Sequence, residues 1–214
     1  TDVINKTAGG DATLTLEAPN NIILNNSIWS TVGKLNIVLS ADSDKDQAGI
    51  VDFQAAIDTN GGNLTILGAD INLAVTLQTD AGALLLEPSV NGITLGIGNG
   101  VTAAFYLDNT ELGYLINTLG GLTIGQIGSN SEVSIGNVTS LSNMNVVING
   151  GNITFEDLLI VSNGSLQINA SGAVIDNNVA GLDIALTTGG PYLIIDAVGA
   201  VGSSANPIET QLSN

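Results

Sequence analysis

Asn60-Gly61-Gly62-Asn63-Leu64-Thr65-Ile66-Leu67 places a corner and a strand side by side. Asn and Gly tolerate positive φ, so Asn60-Gly61-Gly62 reads as a tight corner. The alternation that follows, Leu64 and Ile66 against Asn63 and Thr65, has the period of two that marks a half-buried strand. The unit returns imperfectly as Gly121-Leu122-Thr123-Ile124-Gly125 and as Gly151-Asn152-Ile153-Thr154-Phe155. Tight corners and period-two strands would also serve the hairpins of a sandwich. Repetition of a strand-and-corner unit is what selects a solenoid.

Working outward, strand-length runs recur at 13–17, 34–39, 73–77, 83–86, 92–95, 122–124, 133–135, 145–148, 166–168, 184–186 and 193–195. Asn91-Gly92, Asn99-Gly100, Asn149-Gly150-Gly151 and Asn163-Gly164 supply further corners. In a parallel β-helix each coil lies about 4.8 Å above the last, aliphatic residues stack inside, and Asn or Thr stack at the corners. Coils of roughly 20 residues predict on the order of ten coils and a rod about 50 Å long. The expected fold is an all-β parallel β-helix, one solenoid segment over 1–214, belonging to a larger or polymerised assembly. One stretch breaks the pattern, a short helix or loop insertion near 106–117. Asn109 reads there as a helix start, with Leu112, Leu115 and Ile116 on one face.

Composition removes many chemistries. The chain has no Arg, His or Cys and only three Lys, so 20 acidic residues leave a formal charge of −17. Phosphate contacts need Lys and Arg, which excludes nucleic acid and anionic lipid as partners and leaves cations. Without Cys there are no disulfides and no thiolate sites. No apolar run reaches the roughly 20 residues of a membrane helix, and 3% aromatics is too few for the girdles of a transmembrane barrel. Membrane insertion is therefore not expected. Thr1-Asp2-Val3-Ile4-Asn5-Lys6 has neither the basic nor the apolar region of a leader, which suggests a mature or excised segment.

The sharpest local constellation is Asp42-Ser43-Asp44-Lys45-Asp46-Gln47-Ala48-Gly49. Alternate carboxylates in a turn converge oxygens on a hard cation, making Asp42, Asp44 and Asp46 a candidate calcium site. The EF-hand pattern then fails, with Gln47 in place of its Gly and Phe53 in place of its bidentate Glu. The other reading is a solvated acidic corner loop. Paired carboxylates could run a glycosidase, and Asp42, Asp44, Asp46, Asp52, Asp108, Glu111, Glu156 and Asp157 are available. No cluster of sugar-binding aromatics marks any pair, and Trp29 is isolated, so no catalytic or cofactor-binding residue is assigned and no enzyme is expected. Gly96-Ile97-Gly98 lacks the βαβ context of a phosphate loop. Seven Asn-x-Ser/Thr sequons begin at Asn5, Asn25, Asn63, Asn137, Asn152, Asn163 and Asn169.

Two longer stretches carry a resemblance. Ala12-Thr13-Leu14-Thr15-Leu16-Glu17-Ala18-Pro19-Asn20-Asn21-Ile22-Ile23-Leu24-Asn25-Asn26-Ser27-Ile28, with Gly33-Lys34-Leu35-Asn36-Ile37-Val38-Leu39-Ser40-Ala41-Asp42-Ser43-Asp44, resembles the repeat region of filamentous-haemagglutinin-like adhesins. Shorter matches are scattered over most of the chain. The resemblance implies a right-handed coil, two-partner secretion, an extracellular place on the bacterial cell surface, and a role in attachment, aggregation or biofilm. The Asn-Pro-Asn-Gly type of secretion domain is not seen in these residues. The expected role is a structural stalk or filament segment. Its partners would be neighbouring repeats or further copies joined end to end, with host or matrix glycans as ligands. The alternative is a discrete secreted subunit that polymerises through its open coil ends.

Overall fold

The computed structural model describes residues 3–118, 120–178, 181–189 and 191–213. In chain order the first strands are β1 (Ile4–Lys6), β2 (Ala12–Glu17), β3 (Ile22–Leu24), β4 (Ile28–Ser30), β5 (Leu35–Ser40), β6 (Ile50–Phe53), β7 (Ile57–Asp58) and β8 (Leu64–Gly68). There follow β9 (Asp70–Leu73), β10 (Leu77–Asp80), β11 (Leu84–Pro88), β12 (Leu95–Ile97), β13 (Phe105–Leu107), the helix α1 (Asn109–Leu112), β14 (Leu115–Thr118), β15 (Leu122–Ile124) and β16 (Val133–Ile135). The last are β17 (Val138–Ser142), β18 (Val146–Gly150), β19 (Ile153–Phe155), β20 (Leu159–Ser162), β21 (Leu166–Ala170), β22 (Val174–Asp176), β23 (Ile184–Thr187), β24 (Leu193–Ala197) and β25 (Thr210–Leu212).

The chain forms two compact units, Thr1–Val90 with Gly113–Leu122, and Asn91–Leu112 with Thr123–Asn214. Each is a parallel β-solenoid. In the first, the faces are β1-β4-β7-β10-β14, β2-β5-β8-β11 and β3-β6-β9. The chain visits one face after another and returns beside its own earlier strand, so every coil is hydrogen-bonded to the next. In the second unit the faces are β17-β20-β23-β25, β18-β21-β24 and β13-β12-β16-β19-β22. The longest stacks hold five strands in each unit, β1-β4-β7-β10-β14 in the first and β13-β12-β16-β19-β22 in the second, in accord with the coil count that the sequence predicts.

Register explains why short strands suffice. Ile37, Leu64 and Leu84 are successive partners, as are Leu39, Ile66 and Leu86, and all are essentially inaccessible to water. Each fully buried aliphatic side chain of this kind contributes about 1.5–3 kcal/mol. Asparagine side chains form ladders from one coil to the next. Asn36 Oδ1 accepts the Asn63 N–H at 2.9 Å, and Asn63 Oδ1 accepts the Ala83 N–H at 3.0 Å. In the second unit the Asn169 carboxamide donates to Asn149 Oδ1 at 2.8 Å, and Asn149 donates to the Gly125 carbonyl at 3.0 Å. The Asn63–Ala83 and Asn149–Asn169 steps are 20 residues. The Asn36–Asn63 step is 27, because residues 41–49 bulge out between β5 and β6.

Some expectations needed correction. Residues 73–77 are not one strand: Leu73 ends β9 and Leu77 begins β10, with a corner between them. Asn149-Gly150 is no corner either, since both residues close β18 and the Asn149 side chain is buried. The helix near 106–117 is present as α1, but Asp108 caps it. Asp108 Oδ1 accepts the Glu111 N–H at 2.8 Å, and Glu111 Oε2 accepts the Asp108 N–H at 3.1 Å, a reciprocal capping box. Asn109 instead donates to the Asn137 carbonyl and accepts from the Thr139 N–H. Of the expected helix face only Leu112 is helical, and Leu115 belongs to β14.

A corner device recurs. Ser30, Thr59 and Thr79 are buried, and each hydroxyl donates to the carbonyl three residues on, at Gly33, Gly62 and Gly82. The residue after the hydroxyl often turns left-handed, at Asn60, Asp80, Asn143, Asn163 and Thr188. Thr188, with φ 62°, is the β-branched member, and its branch crowds the backbone there. Thr188→Asn is expected to raise the unfolding free energy by about 1 kcal/mol in urea melts. A loss of stability would show that the Thr188 hydroxyl bond to the Thr187 carbonyl outweighs the strain.

Candidate functional site

Asp42, Asp44 and Asp46 do converge, each offering an oxygen within 4.8 Å of the others. The loop is built around Asp42, which is buried while Asp44 and Asp46 are exposed. Asp42 Oδ1 accepts the Gln47 N–H at 2.9 Å and the Ala48 N–H at 3.4 Å, and its Oδ2 accepts the Ser89 hydroxyl. Burial pushes the Asp42 carboxyl up, but the Ser89 hydroxyl, the Asp46 carboxyl and the Ala48 and Gln47 N–H groups together hold it below the usual carboxylate range. The hydrogen bond with Asp42 pushes Asp46 up, aided by burial and by the charges of Asp44 and Asp42 and opposed by the Ala48 N–H. Left-handed backbone at Asp42, Lys45 and Gln47 wraps the loop around that carboxylate. These bonds account for the cluster as a loop-organising device.

The other acids hold corners and ladders. Asp52 Oδ1 accepts from the Gln54 and Asn72 carboxamides at 2.8 and 2.7 Å. Glu156 accepts from the Asn177 carboxamide and Asp157 from the Leu158 N–H. Asp108 and Glu111 form the capping box of α1. Trp29, exposed on β4, borders a surface groove of about 370 Å³ together with Val3, Ser27, Ala56, Ile57 and Asp58. Its register partners are Asn5 and Asp58, so the groove carries one aromatic side chain.

A second convergence of acids, which the sequence reading missed, lies in the second unit. Asp176, Asp183 and Glu209 each offer an oxygen within 4.8 Å of the others. Asp176 ends β22 and Asp183 directly precedes β23. Glu209 directly precedes β25. Asp176 is the register partner of Phe155, which is the partner of Ile135, which is the partner of Ile97. A carboxylate thus occupies a position where three earlier strands of the face carry core side chains. The signal was present in Val174-Ile175-Asp176: if Val174 faces inward, so must Asp176, while Ile175 faces water. Ile175 is exposed and Asp176 buried.

Backbone groups orient this cluster. The Asn178 N–H donates to Asp176 Oδ1 at 2.7 Å, and the Glu209 N–H donates to Asp183 Oδ2 at 2.9 Å. The Asp183 and Ile184 N–H groups both donate to the Glu209 carbonyl at 3.1 Å. Asp183 is pushed up to about 7, chiefly by burial, with its contact to the Glu209 carboxyl and the charges of Asp176 and Glu209 adding to the rise and the Glu209 N–H opposing it. The folded chain therefore holds this proton more tightly than the unfolded chain, whose value is near 3.8. The associated stability is present in full below about 4 and is lost as pH rises through about 7. With EDTA present, Tm is expected to fall between pH 5 and pH 8, and Asp183→Asn to make that fall smaller. An identical pH profile in the variant would contradict this.

Among the described residues no helix is long and apolar enough to cross a membrane. No family model, no curated protein and no solved structure matches this chain.

Proposed function

We propose that this chain is a structural segment of a secreted bacterial surface adhesin, a stalk whose coils continue onto neighbouring repeats. The observation that carries the reading is the outermost strand of a stack in each unit, β2 in the first and β24 in the second. In the first unit Leu14 and Leu16 of β2 are only half-buried, whereas their register partners Ile37 and Leu39 are 1% and 0% exposed. In the second unit Leu193 and Ile195 of β24 are half-buried, whereas their partners Leu166 and Ile168 are fully buried. Ile194 and Val198 beside them are exposed. Such edges offer unpaired backbone groups and core-type side chains to another coil.

The resemblance of 12–28 and 33–44 to filamentous-haemagglutinin-like repeats supports placing that coil in an adhesin. The acidic surface suits an extracellular protein kept apart from its neighbours by charge. Function in this reading comes from repetition and stiffness, with attachment, aggregation or biofilm as its biological result. The same edges support the second reading, a discrete subunit polymerising end to end. Antibodies to this chain should label intact cells of the source organism. Labelling that appears only after permeabilisation would overturn both readings. Sedimentation velocity separates them, since the subunit alone should form linear oligomers as concentration rises.

A further inference from the structure

We propose that Asp176, Asp183 and Glu209 form a calcium site on the inward side of the second unit, independent of the adhesin reading. Three observations converge on it. The first is geometric. Calcium holds oxygens at about 2.3–2.6 Å, so ligands on opposite sides of the ion lie up to roughly 4.6–5.2 Å apart. The oxygens of the three carboxylates all lie within 4.8 Å of one another, close enough to share one such sphere, whereas magnesium demands near-ideal octahedral geometry and dehydrates reluctantly, which suits an all-carboxylate site less well.

The second is an unmet demand for a partner. Asp183 is 0% exposed, and its Oδ1 has no hydrogen-bond partner, nor does the buried Oε2 of Glu209. Buried carboxylate oxygens left in this state are costly unless a cation or proton meets them. The third concerns what could meet them. The three Lys of the chain are Lys6, Lys34 and Lys45, and there is no Arg or His. All three lie in the first unit, so the second has no basic side chain at all. Neutralisation there has to come from solvent, as a metal ion or a proton. Burial in the core ladder, shown by Asp176 beneath Phe155, distinguishes this cluster from the solvated loop at Asp44 and Asp46.

The full chain, stripped with EDTA and held at pH 8, tests this by calorimetric titration and thermal melts with calcium chloride. The expected result is saturable binding and a rise in Tm of roughly 5–10 °C once calcium exceeds its Kd about a hundredfold. Magnesium at the same concentration should raise Tm less, and an equal rise would count against calcium. The double variant Asp44→Asn, Asp46→Asn should keep the response and Asp183→Asn should lose it. Glu209→Gln, at a half-buried position, serves if Asp183→Asn fails to fold, and should weaken binding at least tenfold. No response in the unaltered chain, an undiminished response in Glu209→Gln, or a response lost with Asp44 and Asp46 would each overturn the proposal. The first of these outcomes would leave a proton as what neutralises the cluster.

Discussion

Phe53→Ala is expected to lower the unfolding free energy by about 3–5 kcal/mol. Phe53 is 0% exposed and ends β6, with Leu24 on the preceding strand and Leu73 on the following one as register partners. Truncation removes both the transfer free energy of the ring and the contacts of the side chains above and below it. Stacked backbones fixed by interstrand hydrogen bonds cannot move together to close the gap, which places the cost in the upper range for core truncations. Ile23→Ala, on the outward face of β3 and exposed, is the matched control and should change stability by no more than about 0.5 kcal/mol. Urea unfolding of both variants checks the pair. A loss below 1 kcal/mol at Phe53 would show that this ladder is not the close-packed interior described above.

Gly82→Ala is the second large effect, expected near 3 kcal/mol, the upper end for overpacking. A Cβ on Gly82 would lie 2.0 Å from the Gly62 carbonyl oxygen, and one on Gly62 would lie 2.3 Å from that of Leu35. Gly120 repeats the constraint against the backbone of Ala81 and Gly82. The atoms in the way are main chain, so no rotamer change relieves the contact. The coils must move apart at that corner, stretching the 2.9 Å bond from the Leu64 N–H to the Ala83 carbonyl. Thermal melts of Gly82→Ala beside Gly92→Ala separate spacing from backbone conformation. Gly92 has open space around its Cβ position but a φ of +90°, so its cost is conformational alone. Equal losses at the two positions would contradict the close-stacking account.

Parallel coils were legible where inward aliphatics alternate with outward polar residues, as in Leu122-Thr123-Ile124 and Val133-Ser134-Ile135. β15 and β16 fall on the expected residues, and β5, β8, β18 and β21 differ from expectation only at their ends. β3, β4, β20 and β22 escaped notice because their outward positions, Ile23, Trp29, Ile160 and Ile175, are themselves apolar, which hides the alternation. Of the three similar units first compared, 62–66 and 121–125 fall on the corresponding strands β8 and β15, while 151–155 runs into β19 on another face. Their shared letters record a common local need, a corner followed by an inward aliphatic, and not a common place in the coil.

The candidate sites divide the same way. Asp42, Asp44 and Asp46 stand out because they alternate within five residues, yet proximity in sequence is what lets the loop satisfy Asp42 internally. Asp176, Asp183 and Glu209 are brought together by coil stacking, with Glu209 lying 26 residues beyond Asp183. No local pattern connects them. The inward phase of Asp176 within β22 was the one available clue, and reading it required the register of the strand.

The mass of the parent polypeptide, taken from its source and measured under full denaturation, tests the central claim most directly. A stalk whose coils continue covalently predicts a mass several times the 21.6 kDa of this chain. A mass near 21.6 kDa would contradict it.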